Sequence, residues 1–151
     1  MLILLGLTIG LAAGLTLRSR SDEALGLPAG KEIYDGELTY YLEGPTKLLG
    51  ACGQMNGEND YIVSVSHIIF DAAGSSSATG GNSNNNPLCG QMVRATRWDA
   101  EVNAERSVDL TVVDRCTGCQ PNDLDTSTGV FKHMASIAEG RVNVTWVWLT
   151  R

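Results

Sequence analysis

Five short segments of this chain alternate apolar and polar residues with a period of two. They cover residues 37–41, 60–66, 91–96, 107–113 and 141–149. In the fourth segment, Val108, Leu110 and Val112 share one parity, and Ser107, Asp109 and Thr111 share the other. Half-buried strands show this period because successive side chains point to opposite faces of a sheet. Several such strands joined by long loops predict an all-β barrel or sandwich.

One segment has helical spacing instead. Apolar residues at positions 130, 131, 134, 137 and 138 fall on one face of a helix. Ser127 or Thr126 is expected to cap its N-terminus, and Gly140 is expected to end it. Residues 71–88 are rich in Gly, Ser and Asn and predict a long loop, either a solvated insertion or the lining of a binding site.

The chain opens with an uncharged apolar run from Leu2 to Leu15. This run is short for a membrane span and is typical of a signal peptide. We interpret residues 1–14 as the signal peptide, 15–32 as a flexible leader and 33–151 as the folded domain. An uncleaved anchor or a misassigned start of the chain is the alternative, because no Lys or Arg precedes the run. The mature chain is expected to be secreted and extracellular, without a membrane segment.

The charge of the chain restricts its partners. The formal net charge of −6 disfavours nucleic acid and anionic membrane surfaces. No motif indicates a cofactor.

The four cysteines of the chain are Cys52, Cys89, Cys116 and Cys119. An even number in a small exported chain predicts disulfides. A zinc site would usually have two close ligand pairs, and only Cys116 and Cys119 lie close in sequence. A thioredoxin-like pair would need a helix starting at the motif, whereas the following Gln, Pro and Asn predict a loop. Three pairings remain open on this argument.

An ordered set of motifs runs through the folded part. The motifs are Tyr40-Tyr41, Gly50-Ala51-Cys52-Gly53, Asn86-Pro87-Leu88-Cys89-Gly90, Val112-Val113-Asp114-Arg115-Cys116-Thr117-Gly118-Cys119, Asp123-Leu124-Asp125 and Gly140-Arg141-Val142. The set resembles the rare-lipoprotein-A-like (RlpA-like) double-psi β-barrel superfamily, which includes barwin-like proteins, kiwellins, expansins and family 45 endoglucanases. The likeness is greatest to small secreted fungal single-domain members. It implies a six-stranded double-psi β-barrel with one short covering helix and long loops. It also implies a Cys52–Cys89 disulfide, which leaves Cys116 to pair with Cys119.

The resemblance further implies a ligand-binding groove lined by Tyr40, Tyr41, Asp114 and Asp125. Asp125 matches the acid of expansins and endoglucanases, although a Leu precedes it where they have Phe. Leu42 follows the tyrosine pair where the endoglucanases have their base, and the nearest acid, Glu43, is one residue off. A competent hydrolase is therefore not expected.

The groove residues also have structural interpretations. Asp114 shares the parity of Val112, so backbone N–H groups are expected to satisfy a carboxylate buried there. Asp125 precedes the predicted helix, where an acid favours the helix dipole. Tyr40 and Tyr41 point to opposite faces of their strand. One of them is expected in the core and the other is available to stack on a sugar ring.

Other chemistry-bearing residues are secondary candidates. Trp98 could stack on a sugar, whereas Trp146 and Trp148 are expected in the core. His67 is expected to be structural, and the histidine of the predicted helix is expected on its polar side. Asn143 begins an Asn-Val-Thr glycosylation sequon, although a sequon within a strand is often left unmodified.

Three functions follow from the resemblance. The first is a non-hydrolytic, expansin-like module that binds cell-wall polysaccharide. The second is a protein-binding module, a protease inhibitor or a kiwellin-like binder of a secreted protein, that uses residues 74–88 and the Cys116–Cys119 loop. The third is a lytic transglycosylase or endoglucanase-like enzyme with Asp125 as its acid. In each case we expect a monomer with no metal.

Overall fold

The alternating segments form six strands in the computed structural model, which describes residues 32–41 and 49–149. The strands are β1 (Tyr34–Tyr40), β2 (Ile62–Ser66), β3 (Met92–Asp99), β4 (Ala104–Cys116), β5 (Leu124–Thr126) and β6 (Val142–Trp148). Two α-helices, α1 (His67–Ala73) and α2 (Thr128–Met134), accompany them. Short 3-10 helices cover Ser77–Thr79, Ser83–Asn85 and Ile137–Glu139. The predicted signal peptide, the leader up to residue 31, and Leu42 and Glu43 lie outside the described residues.

The strands close into a barrel in the order β1-β5-β2-β4-β3-β6. The β1–β5 and β2–β4 pairs are parallel, and the other four pairs are antiparallel. Parallel strands cannot be joined by a tight hairpin, and in both pairs other elements of the fold lie between the partners in the chain. The predicted all-β, six-stranded barrel is confirmed.

Inward-facing side chains from every strand fill the barrel. Trp146 is 1% exposed and packs against Tyr34 and Trp148, with ring centroids 4.6 and 5.4 Å away. Its indole N–H donates to the carbonyl of Asn122 at 2.8 Å, which satisfies the polar end of a buried ring. Trp146 and Trp148 therefore occupy the core positions that their parity predicts.

The prediction of a single helix was wrong, because α1 follows β2 without a loop. Ser66 ends the strand and caps the helix, since its hydroxyl accepts a hydrogen bond from the N–H of Ile68. Ile69 and Phe70 are fully buried against the barrel. The apolar run from Ile68 to Phe70 continued the strand pattern in sequence, so the period changed without a turn residue to mark it.

Helix α2 begins where the sequence predicts and ends before Gly140, the predicted end. The Ser127 hydroxyl accepts from the N–H of Val130, so Ser127 is the N-cap of α2. The helix stops at Met134, and a separate 3-10 turn, Ile137–Glu139, ends at Gly140 with a φ of 66°. His133 is exposed on α2, and its ring centroid lies 6.0 Å from that of Tyr61.

Two disulfides join the cysteines, Cys52 to Cys89 and Cys116 to Cys119. This is the pairing that the resemblance implies. The first bridge ties the segment after residue 49 to the end of the Asn-rich loop. The second closes a four-residue ring at the end of β4. None of the helices formed by residues 32–41 and 49–149 has the length and hydropathy that a bilayer-spanning helix needs.

The loop between α1 and β3 is organised around one buried amide. Asn86 is 3% exposed, and its Nδ2 donates to the carbonyls of Phe70 and Ser75 at 2.7 and 2.9 Å. Its Oδ1 accepts from the N–H of Leu88 at 2.9 Å. The segment is therefore held by internal hydrogen bonds, which the simple interpretation as a solvated insertion did not include.

Asn86→Ala is expected to lower the free energy of unfolding by about 2–4 kcal/mol, because it leaves buried backbone groups without partners. Urea unfolding of the disulfide-intact protein measures the change. Asn85→Ala is the matched control, since Asn85 is its exposed neighbour, and we expect it to change stability by less than about 0.5 kcal/mol. Equal losses in the two variants would contradict this account.

Candidate functional site

Strand register brings four polar side chains into one row. Asp125 in β5 pairs with Thr39 in β1 on one side and with Ser64 in β2 on the other. Ser64 in turn pairs with Asp114 in β4. Adjacent strands are about 4.8 Å apart, so the row of Thr39, Asp125, Ser64 and Asp114 crosses about 15 Å of the barrel wall. We call the depression that these side chains line the Asp125 groove.

A β-bulge places the last member of this row. Val63 pairs with Val112, whereas the next residue, Ser64, pairs with Asp114, so Val113 is the extra residue. Val112 and Val113 are both buried. Bulges commonly redirect a side chain beside a functional site, and here the bulge brings Asp114 level with Ser64.

Asp125 is half-buried, and its environment favours the protonated acid. Burial among the barrel residues raises the pKa of Asp125 to about 6, and the nearby charge of Asp114 also raises it. A hydrogen bond from the Thr39 hydroxyl, at 2.9 Å, and the charge of Arg141 act in the opposite direction. The carboxyl thus bonds to a β1 side chain and belongs to β5, so the dipole of α2 does not account for its position.

The two tyrosines have different surroundings. Tyr40 packs on Phe131 of α2 with ring centroids 4.7 Å apart, and its hydroxyl donates to the carbonyl of Ile137. Tyr41 directs its hydroxyl to the Ser64 hydroxyl in the row, and burial raises the pKa of this phenol. Both tyrosines line the Asp125 groove. Tyr40 is fixed against the helix, so Tyr41 is the tyrosine that joins the polar row.

Asp114 is held by the backbone. Its Oδ1 accepts hydrogen bonds from the N–H groups of Ala51 and Arg115, each at 2.8 Å. The Ala51 bond anchors the segment next to Cys52 onto the end of β4. Backbone N–H groups satisfy this carboxylate as expected, but the bulge at Val113 leaves Asp114 half-buried in the groove, whereas its parity predicted a buried position inside the barrel.

The groove has a volume of about 390 Å³ and is bordered by charged and disulfide-bonded residues. Arg115 forms a bidentate ion pair with Asp71 of α1, with N···O distances of 2.8 and 2.6 Å. Across the groove, Arg141 lies 2.6 Å from Glu37. The Cys116–Cys119 ring forms part of the wall, and the Ser66 hydroxyl donates to the Cys119 carbonyl at 3.2 Å.

Sequence reasoning missed Thr39, Ser64 and Arg141 as groove residues. Thr39 has the same parity as Tyr41, and this is a signal that could have found it. The position of Ser64 depends on the bulge and on pairing with β5, which no local pattern shows. Arg141 belongs to the Gly140-Arg141-Val142 motif, but nothing in that motif indicates that its side chain lines the groove.

The other candidates lie away from this row. His67 starts α1, with its Nδ1 3.2 Å from the Cys116 carbonyl. Asn143 is exposed on the outer side of β6, and Trp98 is 60% exposed on β3. Across residues 32–41 and 49–149, no three His, Cys, Asp or Glu side chains cluster in a way that could hold a metal ion.

Comparison with known sequences finds a protease inhibitor and a fungal allergen homologue among the relatives of this chain. The papain inhibitor of Streptomyces mobaraensis is 29% identical over 140 residues, which cover 91% of this chain and 85% of the inhibitor. An allergen homologue of Arthroderma benhamiae is 32% identical over 99 residues, covering 64% of this chain and 27% of that protein. No protein-family model matches the chain.

Solved structures share the fold. The Streptomyces papain inhibitor superposes with a TM-score of 0.60 at 24% identity, over 80% of this chain and 96% of the inhibitor. A mutant expansin of Clavibacter michiganensis in complex with cellohexaose gives 0.56 at 21% identity, over 78% of this chain and 50% of the expansin. Cerato-platanin 2 of M. perniciosa gives 0.51 at 13% identity, over 78% and 95%. The predicted resemblance is confirmed at the level of the fold: this chain has the double-psi β-barrel fold that these three structures share.

Proposed function

We propose that the chain is a secreted, non-hydrolytic binding module whose Asp125 groove holds a segment of cell-wall polysaccharide. The observation that carries the proposal is the row of Thr39, Asp125, Ser64 and Asp114 beside the Tyr41 hydroxyl. Hydroxyl and carboxyl groups supply both donors and acceptors, which is what a polyhydroxylated chain needs in a groove.

The likeness to an expansin solved with cellohexaose supports a glycan as the ligand. The match covers half of that expansin. Contacts that the other half of the expansin makes with cellohexaose therefore say nothing about this chain. The proposal therefore rests on the residues of the groove itself.

The contacts of the second carboxylate support binding without hydrolysis. Inverting hydrolysis needs an acid and a base about 6.5–9.5 Å apart. Asp125, with its raised pKa, has the character of an acid. Asp114 is the other groove carboxylate on the row, and two backbone N–H groups already bond to its Oδ1. Both bonds hold this oxygen in a structural role, so it is not free to bond to an attacking water.

Two disulfides in a chain of this size support an oxidising compartment outside the cytoplasm. The interpretation of residues 1–14 as a signal peptide agrees with this proposal. We infer a secreted, monomeric module.

Inhibition of papain-type cysteine proteases is the second candidate. It is favoured by the 29% identity to a papain inhibitor over 91% of the chain. The Cys52–Cys89 bridge and the buried Asn86 amide hold the loop of residues 74–88 in one conformation. A loop fixed before binding loses little conformational freedom in a complex, which favours affinity.

The polysaccharide proposal predicts that Asp125→Asn weakens retention of the protein on insoluble cellulose, chitin or β-glucan by about tenfold, since one charge-assisted hydrogen bond is worth about 1.5–3 kcal/mol. Sedimentation with the polysaccharide measures retention, and chromatography of the supernatant detects released sugar. Asp109→Asn is the control, because Asp109 pairs with Arg94 on the exposed sheet surface. Sugar release that Asp125→Asn abolishes would establish an enzyme instead.

The inhibitor candidate makes the opposite prediction for the same variant. If residues 74–88 bind a protease, wild type and Asp125→Asn inhibit papain equally, and Asn85→Arg at the exposed turn of the loop weakens inhibition at least about tenfold. Hydrolysis of a chromogenic peptide by papain is the readout. No inhibition by wild type at micromolar concentration would exclude this candidate for papain.

Asp125 should make stability depend on pH. The pKa of Asp125 rises from its ordinary 3.8 to about 6 on folding, so from about pH 4 to 6 the folded state retains a proton that the unfolded chain has released. The free energy of unfolding then falls as pH rises through this window. We expect Asp125→Asn to be about 1–3 kcal/mol more stable than wild type near pH 7 and similar near pH 3.5.

Urea unfolding at the two pH values tests this, with Asp109→Asn as a control of opposite sign. The pair with Arg94 lowers the pKa of Asp109. Its stabilisation is therefore present near neutral pH and is lost in acid. A difference between Asp125→Asn and wild type that is the same at both pH values would contradict the prediction.

A further inference from the structure

A second polar groove lies on the outer face of the barrel, where β1, β6, β3 and β4 are neighbours. It has a volume of about 930 Å³, and we call it the outer groove. The argument uses six of its lining residues: Asp35, Thr96, Trp98, Glu105, Asn143 and Thr145.

The register of the sheet builds this surface in rows. Asp35 pairs with Thr145, Thr145 with Thr96, and Thr96 with Ser107. The Thr96 and Ser107 hydroxyls are 3.3 Å apart. The next row holds Asn143 on β6 and the Trp98–Glu105 pair on β3 and β4. Hydroxyl, amide and carboxylate groups therefore surround one large aromatic ring.

Trp98 is the exposed tryptophan of the three in the sequence. It is 60% exposed, whereas Trp146 and Trp148 are 1% and 8% exposed. Trp98 lies on the outer parity of β3, whereas Ala95 and Asp99 have the opposite parity and are buried. An indole face in a polar groove offers a broad apolar surface for the ring of a sugar.

The charges in the outer groove restrict the ligand further. Its two guanidinium groups are already paired, Arg141 with Glu37 at 2.6 Å and Arg97 with Glu139 at 3.9 Å. Arg97 also donates to the carbonyl of Met134 at 2.7 Å. Asp35 and Glu105 add two carboxylates, which can accept hydrogen bonds from hydroxyl donors. The groove therefore disfavours a polyanion and suits an uncharged polyhydroxylated chain.

We propose that the outer groove is a second glycan-binding site, in which an uncharged polysaccharide stacks on Trp98 and donates hydroxyl hydrogen bonds to Asp35 and Glu105. The outer groove adjoins the Asp125 groove, because Arg141 lines both. Trp98, Asp35 and Glu105 line the outer groove and are not among the residues that line the Asp125 groove. A module with both sites would contact a polysaccharide along two adjoining grooves.

Tryptophan fluorescence tests this proposal directly, because Trp146 and Trp148 are shielded in the core. The protein is produced in a bacterial periplasm, which forms disulfides and leaves Asn143 without a glycan. Cellohexaose, chitohexaose and laminarihexaose are the probes, and polygalacturonate is the polyanion control. We expect saturable quenching with at least one neutral hexasaccharide and none with polygalacturonate.

Two variants separate the sites. Trp98→Ala should abolish the fluorescence change and weaken binding by calorimetry about tenfold, the effect of losing one stacking contact, whereas Trp98→Phe should retain part of the affinity. Asp125→Asn should leave the Trp98 signal unchanged. No fluorescence change with any of the three hexasaccharides at millimolar concentration would overturn the proposal, as would calorimetric binding by the Asp125→Asn variant that adding Trp98→Ala leaves intact. Binding lost only in Asp125→Asn would support the Asp125 groove and overturn the outer groove.

Discussion

The barrel depends on the pairing of a strand of three residues. β5, Leu124–Thr126, is hydrogen-bonded to β1 on one edge and to β2 on the other. Without it, both neighbours would expose the unpaired N–H and carbonyl groups of an edge strand. Leu124 and Thr126 are fully buried, and the Thr126 hydroxyl donates to the carbonyl of Ile62. A segment of only three residues therefore closes the sheet, and its first and last residues pack in the core.

The middle residue of that segment is Asp125, so the acid and the closure of the barrel share one element. The same packing that removes Leu124 and Thr126 from water also partly desolvates the carboxyl between them. This is why the pKa of Asp125 is raised. The position of the acid is correspondingly rigid, since Asp125 cannot move without breaking ladder hydrogen bonds to two strands. A group held in this way is suited to recognising a ligand without rearrangement.

The sequence was informative where a pattern is local and long. Period-two alternation located five strands, and Ser127 marked the start of α2. β5 was missed because three residues cannot show a period, although Asp123-Leu124-Asp125 was singled out as a motif. α1 was missed because Ile68 to Phe70 continued an apolar run. The row of Thr39, Asp125, Ser64 and Asp114 joins strands that are distant in sequence, and the bulge at Val113 sets its register. The residues of the site could therefore be named in part, but their juxtaposition follows only from the closed sheet.

The antiparallel pairing of β1 with β6 determines how this barrel could be attached to something else. Tyr34, near the start of β1, lies opposite Trp146, near the end of β6. Residues 32 and 149 therefore leave the barrel side by side. The tyrosines of the Asp125 groove lie at the other end of β1, six residues away, or about 20 Å along the strand. A bead, a sensor surface or a fused domain joined directly at residue 32 or residue 149 would sit at the opposite end of β1 from that groove and leave its mouth accessible.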